Sequence, residues 1–317
     1  MTDTQNEVFK TPVNKIRLFE HGAPGSQNLK LTRKYYTEDM PDGRVKHIVQ
    51  NITDPDIVPY IPDGIGNSTD RQRIPAVLII PGGAFRRLVY NFEGEDVAKW
   101  LNSMGIAAFV LECRLPSDEH DNAEDVPLID AMRAMRVIRG RAQEFGIDEA
   151  KIGVMGFSAG GFIAALLSTA YESDVYADYK YKDEYDELSA RPDFAVCSYP
   201  VISIDDCIEA GKRYMSEEQV LERISDSKAK ILHKYNPDKL VRPDMPPVFI
   251  CETDDDRTTL SENSVGFYMA ARKAGVSAEL HIFRTGGHGY GCGDDSAQTG
   301  EWKVLFTKWI KSIGIIS

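Results

Sequence analysis

Val154-Met155-Gly156-Phe157-Ser158-Ala159-Gly160-Gly161 is the stretch whose reading decides the fold. The apolar run Lys151-Ile152-Gly153-Val154-Met155 leads into it, and Phe162-Ile163-Ala164-Ala165-Leu166-Leu167, compatible with a helix, leads out. A strand, a sharp turn with small residues on both sides of a serine, and a helix together expose a hydroxyl above a sheet edge. A Cβ at position 156 or 160 would crowd the strand-to-helix crossing, which explains Gly156 and Gly160. Ser158 then stands at a helix N-terminus, whose dipole favours developing negative charge. The competing reading is a glycine-rich turn around an ordinary serine. The flanks count against it, and so does the rest of the chain.

Outward from this turn, buried strands alternate with amphipathic helices. Ala76–Ile80 and Ile106–Leu111 are continuous apolar runs, as expected for strands covered on both faces. Between them, Val97, Trp100, Leu101 and Met104 share one helical stripe that Gly105 ends. A second helix is expected from Pro127 to Phe145, with Pro127 in its first turn and Gly146 at its end. Past the central turn, Phe194–Ser198, Val248–Cys251 and Ala278–Phe283 read as strands, and residues 262–274 and 301–313 as helices. This grammar predicts an α/β fold, a mostly parallel sheet with helices on both faces. Residues 1–73 read differently. Lys15–Phe19, Leu29–Thr32 and Val45–Val49 alternate like short strands with one wet face, separated by Pro24-Gly25 and Pro41-Asp42-Gly43. They suggest an antiparallel meander, followed by a polar loop from Pro59 to Arg73. Residues 203–247 interrupt the pattern with helical spacing at Val220, Leu221, Ile224, Ile231 and Leu232. They are read as a lid insertion within a single domain spanning 1–317.

Composition narrows the partners. The 317-residue chain is 42% hydrophobic and carries a net charge of −12. That charge argues against nucleic acid and against an anionic membrane surface. The polar, acidic start Met1–Glu7 and the lack of a long apolar run predict a cytoplasmic protein with no membrane partner. Five scattered cysteines without a CxxC pair read as reduced thiols. Cys113, Cys197 and Cys251 lie in apolar runs and read as core fillers. Homo-oligomerisation is left open.

A serine hydroxyl needs an adjacent base, itself oriented by a carboxylate. In an open parallel sheet these groups belong on loops at the carboxyl ends of strands. Of six histidines, only His288, in Thr285-Gly286-Gly287-His288-Gly289, sits among glycines directly after a strand. The acid is sought in Glu252-Thr253-Asp254-Asp255-Asp256-Arg257, again after a strand, where the residues alone leave all three aspartates open. No second carboxylate or histidine cluster at ligand spacing points to a metal. Oxyanion donors are expected from the N–H of Ala159, just past the serine, and from the loop Pro81-Gly82-Gly83-Ala84-Phe85.

These motifs, in this order, resemble the α/β-hydrolases of the esterase/lipase group that includes acetyl-xylan and feruloyl esterases, kynurenine formamidases and hormone-sensitive-lipase-like enzymes. The resemblance covers residues 74–315. Pro81–Phe85 is similar to the family's Gly-rich oxyanion loop, Gly156–Gly161 to its nucleophile turn and Gly286–Gly289 to its histidine loop. Thr253-Asp254-Asp255-Asp256 followed by Ser261-Glu262-Asn263-Ser264 is similar to a Thr-Ala-Asp-Asp stretch followed by Glu-Asn-Ser, which selects Asp255. Cys113-Arg114-Leu115-Pro116 resembles the family's Tyr-Arg-Leu segment.

The resemblance implies a serine carboxylesterase acting on small acyl esters, with acetylated carbohydrate as a candidate substrate. Ser158 would be the nucleophile, His288 the base and Asp255 the acid, with the N–H groups of Gly83, Ala84 and Ala159 around the oxyanion. No cofactor and no metal are implied. Three departures bear on substrate shape. Ala84 replaces a glycine and is expected to narrow the acyl site, Cys113 replaces a tyrosine, and Cys251 stands where histidine is common. The alternatives are a formamidase or oligopeptidase-like hydrolase on the same scaffold, and a non-catalytic binding protein of the same fold.

Overall fold

Apolar residues fill Ile74–Ile80, and all but the first of them are buried. Such a run loses nothing by being covered on both faces, and it forms the centre of a large sheet. The computed structural model describes residues 9, 13–65, 73–216, 218–220 and 230–317. In chain order its strands are β1 (Ile16–Arg17), β2 (Lys34–Asp39), β3 (Val45–Gln50), β4 (Asp56–Tyr60), β5 (Ile74–Ile80), β6 (Leu88–Val89), β7 (Ala107–Glu112), β8 (Ile147–Phe157), β9 (Ala195–Ser198), β10 (Val248–Thr253) and β11 (Ala278–Phe283). The main sheet runs β1-β4-β7-β5-β8-β9-β10-β11. From β7 to β11 every neighbouring pair is parallel, and β4 and β1 add on antiparallel. Helices Asp96–Ser103, Val126–Gly140, Ala159–Ala170, Ser261–Lys273 and Trp302–Ser312 alternate with these strands. Among the described residues, no helix is long and apolar enough to cross a membrane.

The expected N-terminal meander is divided between two sheets. β2, β3 and β6 form a separate antiparallel sheet, while β1 and β4 extend the main one. Leu29–Thr32, expected as a strand, is irregular, and the strand lies further on, at Lys34–Asp39. Cross-strand pairing sets this position. Tyr35 faces Val49 and Tyr36 faces Ile48, aromatic against β-branched. The expected loop from Pro59 begins inside β4. Proline is tolerated there because the two residues of β1 pair only with Asp56 and Ile57, which leaves that side of Pro59 without a ladder partner. The expected helix to Phe145 breaks at Arg141 into Val126–Gly140 and Ala142–Phe145. In the 203–247 insertion, helices Ile204–Tyr214 and Lys230–Lys234 are present, with Val220, Ile231 and Leu232 buried. Leu221 and Ile224 lie outside the described residues.

Charge fixes the N-terminal segments to the sheet edge. Lys15 reaches Glu112 at 2.7 Å, and Arg33 reaches Asp56 at 2.6 Å and Glu112 at 2.7 Å. Two cations and two carboxylates compensate one another, so removing any one strands a buried charge. Deeper in, Arg114 and Asp130 pair at 2.6 Å with both side chains fully buried. Arg114 also donates to the Pro24 carbonyl and to Ser26 Oγ. Ser26 Oγ lies 3.0 Å from His120 Nδ1. The guanidinium and the imidazole thus meet at one buried hydroxyl.

Burial first, and then the Arg114 charge, hold His120 down at about 4 against an ordinary 6.5. The unfolded chain takes up this proton near 6.5 and the folded chain only near 4, so His120 contributes stability above that window and loses it as pH falls through it. Urea midpoints measured from about pH 7 down to about pH 4 are therefore expected to fall less steeply for His120→Gln than for wild type. Asp118, pushed up to about 6 by burial, acts in the opposite direction but is common to both proteins. Parallel curves would disprove the assignment.

Candidate active site

From β5 the chain passes to β7 on one side, then returns to β8 on the other side of β5. The loops after β5 and β8 therefore diverge at the carboxyl ends of adjacent strands and open a crevice, the usual ligand position in such sheets. Pro81–Arg87 form one wall, and Ser158 stands on the other.

Ser158 adopts φ +52° and ψ −119°, a conformation rare for a residue with a side chain. The crossing leaves no room for relaxation. A Cβ on Gly156 would stand 2.1 Å from the Gly160 carbonyl oxygen, and one on Gly160 would stand 2.0 Å from that of Ile80. Both glycines are thus fixed by close approach, as the sequence indicated. The turn is held by Ser158 N–H donating to Ser198 O at 3.0 Å and by Ser158 O accepting from Phe162 N–H at 3.1 Å.

Ser158 Oγ lies 2.8 Å from His288 Nε2, as expected. The far side of the ring differs from expectation. His288 Nδ1 meets Asp256 Oδ2 at 2.6 Å, not Asp255. Asp255 is exposed, and its Oδ1 accepts the N–H of Gly287 at 2.8 Å, steadying the histidine loop from outside. The way the turn folds explains the shift by one residue. β10 ends at Thr253, and Asp256 Oδ1 then accepts the N–H groups of Thr258 at 2.7 Å and Thr259 at 2.9 Å. That capping turns Asp256 inward, to 2% exposure, and leaves Asp254 and Asp255 outside. Burial alone would raise the Asp256 pKa. The His288 hydrogen bond and charge, with the two threonine N–H groups, outweigh it and hold the carboxyl below its ordinary range.

Support from behind was not legible in the sequence. Glu252 is buried, and burial together with the Asp256 charge pushes it well above the usual carboxylate range. Ser264 Oγ donates to it at 3.2 Å, and Asn263 Oδ1 accepts from Ile202 and Ser203 N–H. Ser264 thus supports Glu252 behind the acid turn, while Asn263 ties its helix to the segment after β9.

On the oxyanion side, Gly82 N–H is committed to Glu93 Oε2 at 2.8 Å. Among the described residues, the N–H groups of Gly83 and Ala84 have no hydrogen-bond partner. The Gly83 carbonyl accepts from Arg86 and Arg87 N–H, and Ala84 and Phe85 both have φ near +58° (+57° and +59°). Ala159 opens the helix after Ser158, so its N–H has no acceptor within that helix. Ala84 is exposed, while Phe85 packs edge-on against Phe162 below it. Glu93 and Tyr199, which buttress these loops, went unnoticed in the sequence. Their only local sign was an acid and an aromatic just past the ends of strands.

The fold is that of an α/β-hydrolase. The chain belongs to the BD-FAE family, whose pattern it matches over residues 65–270. It is 30% identical over 240 residues to an acetylxylan esterase of Xylanibacter ruminicola, covering 75% of this chain and 45% of that protein. It is 31% identical over 232 residues to the endo-1,4-beta-xylanase B of Butyrivibrio fibrisolvens, covering 73% and 35%. The chain thus spans less than half the length of these two relatives. Among solved structures, it is similar to an acetyl ester-xyloside bifunctional hydrolase from Caldicellulosiruptor lactoaceticus. That protein is 37% identical, with a TM-score of 0.67 and coverage of 84% of this chain and 91% of that one.

The acid assignment predicts different outcomes at neighbouring positions. Asp256→Asn is expected to slow fluorophosphonate labelling of Ser158 by about 10⁴-fold, because an amide admits the wrong imidazole tautomer. Asp255→Asn is expected to lose far less, since its amide oxygen still accepts the Gly287 N–H. The reverse ranking would return the role to Asp255.

Proposed function

We propose that this chain is a serine carboxylesterase that hydrolyses small acyl esters, with acetylated carbohydrate as its substrate class. The observation that carries the reading is the continuous relay Ser158 Oγ–His288 Nε2–His288 Nδ1–Asp256 Oδ2, at 2.8 Å and 2.6 Å. Asp256 accepts the proton on Nδ1, which turns the Nε2 lone pair toward the serine hydroxyl. Ser158 attacks the ester carbonyl and His288 takes its proton. The N–H groups of Gly83, Ala84 and Ala159 receive the oxyanion. His288 then protonates the departing alcohol, leaving an acyl-serine, and water attacks it by the same route in reverse. Acetylated carbohydrate is favoured because two of the similar proteins are named for acetylxylan and acetyl ester hydrolysis. The reading includes one hydrolase domain, with residues 203–247 as a cap. It is supported by Val201 N–H, just ahead of that segment, donating to the Ser158 carbonyl at 3.3 Å.

Ser158→Ala is expected to keep the fold and to lose about 10⁶-fold in turnover of p-nitrophenyl acetate. Circular dichroism checks the fold, and a panel of acyl esters, formamides and dipeptide amides checks the bond type. Full activity in the folded variant would remove Ser158 from the mechanism, and a preference for formamides or amides would move the reading to another hydrolase.

Ala84 provides the test of acyl size. Its exposed methyl lies beside the proposed donors, so the wild type is expected to favour acetyl and propionyl over longer chains. Ala84→Gly is expected to widen acceptance while leaving acetyl turnover nearly unchanged, since the backbone N–H stays. Losing a donor outright would cost about 2.7–4 kcal/mol. Specificity constants for acetyl, butyryl and octanoyl esters decide it, and an unchanged chain-length profile would assign the preference to the cap.

A further inference from the structure

Three loops meet at one buried carboxyl that the relay does not use. Glu93 Oε2 accepts the N–H of Gly82 at 2.8 Å, and Oε1 accepts the hydroxyl of Tyr199 at 2.9 Å. The same hydroxyl accepts the N–H of Gly291 at 2.9 Å, on the loop that carries His288. The loops after β5, β9 and β11 therefore share one anchor. It lies close to the nucleophile turn, because a Cβ on Gly82 would stand 2.8 Å from Glu93 Oε2 and 2.9 Å from Ser158 Cβ.

The donor pattern indicates the charge state. A backbone N–H can only donate. Tyr199, having received the Gly291 N–H, directs its own proton to Glu93. With a donor supplied to each oxygen, the carboxyl is served as a carboxylate would be. Burial works against this and pushes Glu93 above its ordinary range, while His288 is the first of the influences that pull it back. The groups against His288 are Asp256 from the turn after β10 and Tyr199, whose ring stands edge-on at 5.1 Å; Glu93 lies behind Tyr199, on its hydroxyl. Glu252 stands behind Asp256, and Lys46 on β3 acts on Glu93.

We infer that Glu93 is a positioning residue of this site: its carboxylate locks the Gly82 loop to the His288 loop and, through Tyr199, backs the ring that takes the proton when Ser158 gives it up. The inference rests on the esterase reading above. An anion behind the ring favours the imidazolium, so removing that anion is expected to move the acid limb of the rate profile down.

The test compares wild type and Glu93→Gln on p-nitrophenyl acetate across pH. The expected result is a loss in kcat/KM of about 10²-fold, borne by kcat and not by KM, as a buried donor loses its acceptor. The acid limb of the profile is expected to move down by about one pH unit. A loss of rate with an unmoved acid limb overturns the inference, because a purely structural tie would do that alone. Should Glu93→Gln not fold, Tyr199→Phe removes one of the two donors and keeps the ring. It is expected to move the limb in the same direction by a smaller amount, and an unmoved limb there overturns the inference as well. A wild type that neither turns over the ester nor takes fluorophosphonate at Ser158 overturns the esterase reading, and this inference with it. A wild type that does both, beside a Glu93→Gln with an unmoved limb, overturns the Glu93 role alone.

Discussion

Everything at the site depends on the clearance between Gly160 and the carbonyl end of β5. The Ile80 oxygen occupies the place where a side chain at 160 would be. The helix from Ala159 can therefore press directly against the central strand, and its N-terminus comes within reach of the loop after β5. The serine between strand and helix is forced into a conformation that costs roughly 1–3 kcal/mol for a residue with a side chain. Packing on both sides of the turn offsets that cost. The helix Ala159–Ala170 is buried along nearly its whole length, and the turn donates into β9 through Ser158 N–H. The strain is thus held by packing on both sides of the turn, and the fold itself sets the position of the hydroxyl.

Two buried carboxyl groups near His288 behave differently because their surroundings do. Asp256 receives the imidazole and two backbone N–H groups and is driven down, whereas Glu252 is driven up by burial and by the charge of Asp256. Two acids so close cannot both ionise cheaply, and the one with more donors keeps the charge. Cys251 lies beside them, 2.9 Å from Ser198 Oγ, with its thiol pushed up to about 12 by burial. It is therefore inert as a nucleophile at neutral pH. The acidic residue that acts on the ring is selected by hydrogen-bond donors, not by proximity in sequence.

The same point explains what could and could not be read from the sequence. Ser158, the loop at Gly83 and His288 were legible because each sits in a local pattern of strand, glycine and turn. Choosing among Asp254, Asp255 and Asp256 was not a local problem. It turns on Thr258 and Thr259 capping one carboxylate and so deciding which of three adjacent acids faces inward. Family spacing pointed to Asp255, which instead braces the loop of Gly287. Glu93 and Tyr199 are 106 residues apart, and nothing in either segment announces the other. The parallel sheet was readable from continuous apolar runs. β4 was not, because Pro59 looks like loop until the shortness of its neighbour β1 is known.

The N-terminal residues, which resemble the family least, are built into the site through β6. Val89 N–H donates to the Gly82 carbonyl and Tyr90 N–H to that of His47, both within 2.9 Å, and Leu88 and Val89 pair with Val49 and Ile48. Arg87, whose carbonyl lies where a side chain on Gly83 would be, makes an ion pair with Glu38 on β2. The loop Pro81–Arg87 is therefore clamped between the parallel sheet and the hairpin of β2 and β3. Two sets of constraints are thereby separated. The Ser158 turn is fixed by the close crossing at Gly156 and Gly160, and the loop beside it is held by segments that carry none of Ser158, Asp256 and His288.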